Sequence, residues 1–76
     1  MSYYKYVAML HESGFRELGY FSGLHTFLSA DTLVTVFETH GGFQITVDSV
    51  AKNIGKCYYC YNDNHVCHLL EAILCE

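Results

Sequence analysis

Seventy-six residues, 51% of them hydrophobic and only 16% charged, leave room for one core and exclude a second domain. Eight carboxylates stand against four scattered cations, Lys5, Arg16, Lys52 and Lys56. That balance excludes the clustered basic side chains that phosphate recognition requires, so no direct nucleic-acid binding is expected.

In chain order, residues 3–11 read as a strand, with Tyr4, Tyr6, Ala8 and Leu10 on the more apolar parity and Tyr3, Lys5, Val7, Met9 and His11 on the other. Glu12, Ser13 and Gly14 supply a turn. Residues 15–28 carry Phe15, Leu18, Phe21, Leu24 and Phe27 at every third position, a spacing a helix can use. Gly14, Gly19 and Gly23 weigh against a helix, since each costs about 1 kcal/mol relative to Ala in a helix interior. Two short strands are therefore expected there, with a helix as the alternative.

Residues 32–39 are dense in Leu33, Val34, Val36 and Phe37 and predict a strand. His40, Gly41 and Gly42 follow as a hairpin turn, and Phe43, Ile45 and Val47 then alternate with Gln44, Thr46 and Asp48. Asp48 or Ser49 is placed to cap a short helix carrying Val50, Ala51 and Ile54 and stopped by Gly55. Residues 57–61 predict one more short strand. Asn62, Asp63 and Asn64 offer N-caps for a last helix, whose apolar stripe is Val66, Leu69, Leu70, Ile73 and Leu74. The expected fold is α+β: an antiparallel sheet of four to five strands built from hairpins, with a C-terminal amphipathic helix packed on one face.

A chain this short buries only about 60% of the surface its unfolded form exposes, so a metal, a disulfide or a second subunit is the usual reinforcement. The start of the chain lacks a basic, then continuously apolar, leader, and the longest apolar runs are too short to cross a bilayer. A cytoplasmic location and no membrane association are expected, with cysteines reduced unless metal-bound or redox-active.

Chemistry-bearing residues concentrate near the C-terminus. Cys57 and Cys60 form a C-x2-C, followed by His65, Cys67, His68 and Cys75, a donor set that zinc accepts. The spacing Cys57-x2-Cys60-x4-His65 resembles the first three ligands of a retroviral-type zinc knuckle, over those nine residues. The resemblance implies a zinc-stabilised module closed by a fourth ligand, but the knuckle's last cysteine falls on Leu70 here and its basic flanks are missing. Cys67 or His68 would have to close the site instead. On a regular strand Cys57 and Cys60 point to opposite faces and cannot share a metal, which favours reading them as ordinary thiols and no cofactor. A thiol-dependent enzyme is a further alternative, but the histidines His11, His25, His40, His65 and His68 show no spacing that selects a catalytic partner.

Seven tyrosines accompany five phenylalanines and no tryptophan. Tyrosine provides rigid contact area with a polar tip and is enriched at interfaces. Tyr3, Tyr58 and Tyr59, with the acids Glu12 and Glu17, are the candidate partner-binding residues. The sequence thus predicts a non-catalytic protein-binding domain, associating as a homodimer or acting as a stoichiometric inhibitor or adaptor of a larger protein. Small acidic domains of viruses and mobile elements often act this way, a generality about size and charge.

Overall fold

The computed structural model describes residues 4–49 and 51–74. Helix α1 (Lys5–Glu12) leads into strands β1 (Arg16–Phe21), β2 (Leu24–Ser29), β3 (Thr32–Thr39), β4 (Gly42–Ser49) and β5 (Ile54–Cys60), and helix α2 (Asp63–Leu74) follows. The strands form one antiparallel meander in the order β1-β2-β3-β4-β5. The α+β class, the five-stranded antiparallel sheet and the C-terminal helix packed against it agree with the sequence expectation.

The strand expected over residues 3–11 is instead α1. Its buried residues are Tyr6, Val7 and Leu10, an i, i+1, i+4 set that only a helix places on one side, while Ala8 is exposed. Alternation had grouped Tyr4, Tyr6 and Leu10 correctly and missed Val7. The helix stops at Gly14, whose φ is +91°. The Gly14 amide donates to the His11 carbonyl at 3.1 Å and the Phe15 amide to the Leu10 carbonyl at 2.9 Å. These are the paired bonds of a Schellman stop, and Leu10 and Phe15, both buried, make up its apolar contact.

No side chain of its own caps the start of α1. Asp63, in the first turn of α2, does so across the fold. Its Oδ2 accepts from the Lys5 amide at 2.6 Å and its Oδ1 from the Tyr6 amide at 3.3 Å. Asn62 caps α2 in turn, its Oδ1 accepting from the His65 amide at 2.9 Å.

The short helix expected after Asp48 does not form. Asp48 and Ser49 continue β4, residues 51–53 turn with Asn53 at φ +54°, and Ile54 opens β5 opposite Ser49. Val50 lies outside the described residues. Ser49 is buried and donates through Oγ to Asp31 Oδ2 at 3.1 Å, and the same carboxylate oxygen accepts from the Ala51 amide at 3.1 Å. Asp31 thereby ties the β2–β3 turn to the β4–β5 turn, which holds the segment against helix formation.

Both helices lie on one face of the sheet, called the inner face below. Phe27, Val34, Val36, Phe43, Ile45 and Val47 rise from it to meet Tyr6, Val7 and Leu10 of α1 and Val66 and Leu70 of α2, with Leu69, Ile73 and Leu74 packed at the margin. In the hairpin at residues 39–42, Thr39 pairs with Gly42, so His40 and Gly41 form the loop and Gly42 belongs to the strand. Glycine is needed at that strand position because a Cβ there would sit 2.2 Å from the Cys60 carbonyl oxygen of β5.

Asp63→Ala removes the only side-chain cap on α1 among the described residues while leaving α2's own cap intact. The loss expected in a urea titration is about 0.5–2 kcal/mol. An unchanged midpoint would show that α1 is held by packing alone.

Candidate protein interface

Strand alternation gives the sheet a second face, and among the described residues nothing lies over it. The registers align three rows of side chains across all five strands there. Phe21, Leu24, Phe37, Gln44 and Tyr59 form the first; Gly19, Thr26, Thr35, Thr46 and Cys57 the second; Arg16, Leu28, Leu33, Asp48 and Gly55 the third. The first row is the most apolar and the most open. Phe21 is 82% exposed, Tyr59 73%, Leu24 41% and Phe37 40%. The middle row is small and β-branched, so the surface is a shallow trough between an aromatic ridge and a mixed one. Leu18 stands at the β-bulge between Glu17 and Gly19 and is also half exposed.

The predicted partner-binding residues are dispersed by this geometry. Tyr59 stands on the open face at the end of the aromatic row. Tyr58, one residue earlier, turns inward opposite Ile45 and packs against the core. Glu12 is exposed at the end of α1, and Glu17 is directed inward. Tyr3 lies outside the described residues. Phe21, Leu24 and Phe37 were not among the predicted residues, although a signal existed: residues 32–39 carry apolar side chains on both parities, Val34 and Val36 on one, Leu33 and Phe37 on the other. A strand of that kind is either buried on both sides or exposes apolar surface.

The cysteine–histidine residues are likewise spread over both sides of the sheet. Cys57 is exposed on the open face, where its Sγ accepts from Gln44 Nε2 at 3.1 Å, while Cys60 is buried on the inner face. His65 works as a capping residue: its Nδ1 accepts from the Tyr61 amide at 3.1 Å and its ring stacks on Tyr61. Cys67 is half-buried along α2, His68 is exposed, and Cys75 lies outside the described residues. Among the described residues no three His, Cys, Asp or Glu side chains come together in a group able to hold a metal. Burial pushes the Cys60 and Cys67 thiols up, away from the thiolate form that metal binding and nucleophilic attack use. Two clefts flank the end of α2, one against β5 and one against α1 and the β2–β3 turn, and neither is lined by a histidine or a cysteine.

Besides Ser49, an imidazole is buried among the described residues. His25 is only 4% exposed, packed between the rings of Tyr20 and Phe27, with Tyr6 edge-on. Its Nε2–H donates to Glu17 Oε2, which leaves Nδ1 as acceptor for the Tyr6 hydroxyl at 3.4 Å. The other Glu17 oxygen lies 3.7 Å from His11 Nε2. Tyr6, His25, Glu17 and His11 thus link α1 to β1 and β2, with Tyr6 itself only 1% exposed and out of reach of a ligand. Tyr4 stacks on Tyr6 at 5.2 Å and donates its hydroxyl to Glu38 Oε2 at 2.7 Å.

Comparison with protein-family models, with curated proteins and with solved structures gives no match. No helix among the described residues is long and apolar enough to cross a membrane.

Glu17→Ala leaves the buried His25 Nε2–H without its acceptor, and a loss of about 1–3 kcal/mol is expected in chemical denaturation. Gln at position 17 should recover part of it, because its amide oxygen still accepts. The bond to Glu38 pushes the Tyr4 phenol up to about 12, and burial pushes Tyr6 up as well, from an ordinary value of 10.0. The folded state therefore keeps protons that the unfolded chain releases. This contribution is complete below about pH 10 and is lost as pH rises from there through about 12. Circular dichroism should show an alkaline loss of fold over that window, shallower in Tyr4→Phe; an identical limb in the variant would remove Tyr4 from the account.

Proposed function

We propose that this chain is a non-catalytic protein-binding domain whose working surface is the open face of the sheet. The supporting observation is the row Phe21–Leu24–Phe37–Gln44–Tyr59, in which three large apolar side chains stand side by side and a fourth, Tyr59, lies beyond Gln44, on rigid strands with no element over them among the described residues. Contiguous apolar surface of this kind is stabilised by removal from water and marks association sites. Aromatic residues held on a sheet also lose little conformational entropy on docking. The partner is either a second copy of the chain or a larger protein that the domain inhibits or adapts. Tyr59 belongs to this surface. Tyr58, Glu12 and Glu17 do not, and serve packing, solvation and the His25 network.

The test is a double variant, Phe21→Ser with Phe37→Ser, compared with the unaltered chain for fold and for binding. Both residues project to solvent, so the circular dichroism spectrum and unfolding midpoint should stay close to those of the parent. Self-association and capture of other proteins by the immobilised chain should both fall by at least tenfold, since central aromatic contacts carry a large share of binding energy. Unaltered association on both counts would discard this face as the working surface.

A further inference from the structure

We propose that a second copy of this chain occupies the open face, packed sheet to sheet about a two-fold axis running across the strands along the Gly19–Thr26–Thr35–Thr46–Cys57 row. The inference rests on the reading of that face as an association surface and adds the identity and register of the partner.

Four features carry it. First, the sheet edges are blunted: β1 has a bulge between Glu17 and Gly19, and β5 presents Lys56. Both devices discourage strand addition and leave the face as the route of association. Second, five strands spaced about 4.8 Å apart, each some 20 Å long, give a footprint of roughly 500 Å² per copy. The total of about 1,000 Å² meets what a specific interface needs.

Third, the chosen axis exchanges the first and third rows, and their members complement one another. Phe21 meets Arg16 of the second copy, a ring beneath a guanidinium. Leu24 meets Leu28 and Phe37 meets Leu33. Gln44 meets Asp48, an amide donor against a carboxylate, and Tyr59 lies over Gly55, large on small. The middle row meets itself with side chains small enough for close approach. Fourth, the other in-plane two-fold axis, along the strands, fits badly. It sets Asp48 over Leu28 and Arg16 over Gly55, burying a carboxylate without a partner.

Sedimentation of the full chain under reducing conditions tests the assembly, and two further readouts test the register. The expected species has twice the mass of one chain at high concentration and dissociates on dilution, as a footprint near the lower limit implies. Gln44→Lys places two new cations against Asp48 of the opposite copies and should tighten the dimer roughly twofold to tenfold, while Gln44→Glu should weaken it by a similar factor. The axis also brings Cys57 over its own counterpart. Packed sheets lie about 10 Å apart, too far for a disulfide, so a short bismaleimide should link the two chains and Cys57→Ser should abolish the link.

A monomer at all concentrations overturns the proposal. A dimer that both Gln44 variants weaken, or that yields no Cys57-dependent link, overturns this register. If the chain is monomeric but still captures another protein through Phe21 and Phe37, self-pairing fails and the protein-binding reading stands. If the Phe21 and Phe37 substitutions affect neither, both fail.

Discussion

Two helices of eight and twelve residues have enough side-chain area to cover one face of a five-stranded sheet. A helix with its side chains is about 10 Å across, so a pair laid side by side spans the roughly 19 Å between the outermost strands once. The inner face receives both helices, and Phe27, Val34, Val36, Phe43, Ile45 and Val47 there are removed from water, while Tyr20 and Ile54 on the edge strands stay partly exposed. Among the described residues no helix lies over the other face. Strand β4 fits this arrangement, with Phe43, Ile45, Val47 and Ser49 inward and Gln44, Thr46 and Asp48 outward. Strands β1, β2 and β3 do not, because they carry Phe21, Leu24, Leu28, Leu33 and Phe37 on the side that water reaches.

The parts of the fold that the sequence disclosed are those where periodicity and turn chemistry agree. The β3–β4 hairpin and the stripe of α2 follow directly from alternation and from the i, i+3, i+4 spacing of Val66, Leu69 and Leu70. The two strands of residues 15–28 form where the glycines indicated, with Gly23 at φ +85° in the turn between them. Alternation misled at the N-terminus because residues 4, 6 and 10 lie on one parity and also on one side of a helix. Val7, buried, and Ala8, exposed, distinguish the two, and the helix they mark takes its cap from Asp63, 58 residues away.

The proposed interaction surface was only half legible for a related reason. Alternation along β5 does separate Tyr58 from Tyr59, as the pleat shows, but choosing tyrosines by type keeps both as candidates. Phe21 and Phe37 enter the sequence reading only as parts of predicted strands and not as candidate surface residues. Which parity of a strand is buried depends on where the helices dock, and that is decided by the joint arrangement of α1 and α2, not by local pattern. Parity within β5 did separate Cys57 from Cys60, because that inference needs only the strand and not its neighbours.

Every strand pairing in the sheet joins segments adjacent in the chain, so the whole meander can be assembled by zipping short loops, each at a small cost in closure entropy. The contacts of α1 are of another kind, since the carboxylate of Asp63 reaches back 58 residues to Lys5. A growing or refolding chain can therefore complete its hairpins before its two helices meet. In that interval both faces of the sheet are bare, and the arrival of α1 and α2 on one side decides which face stays open.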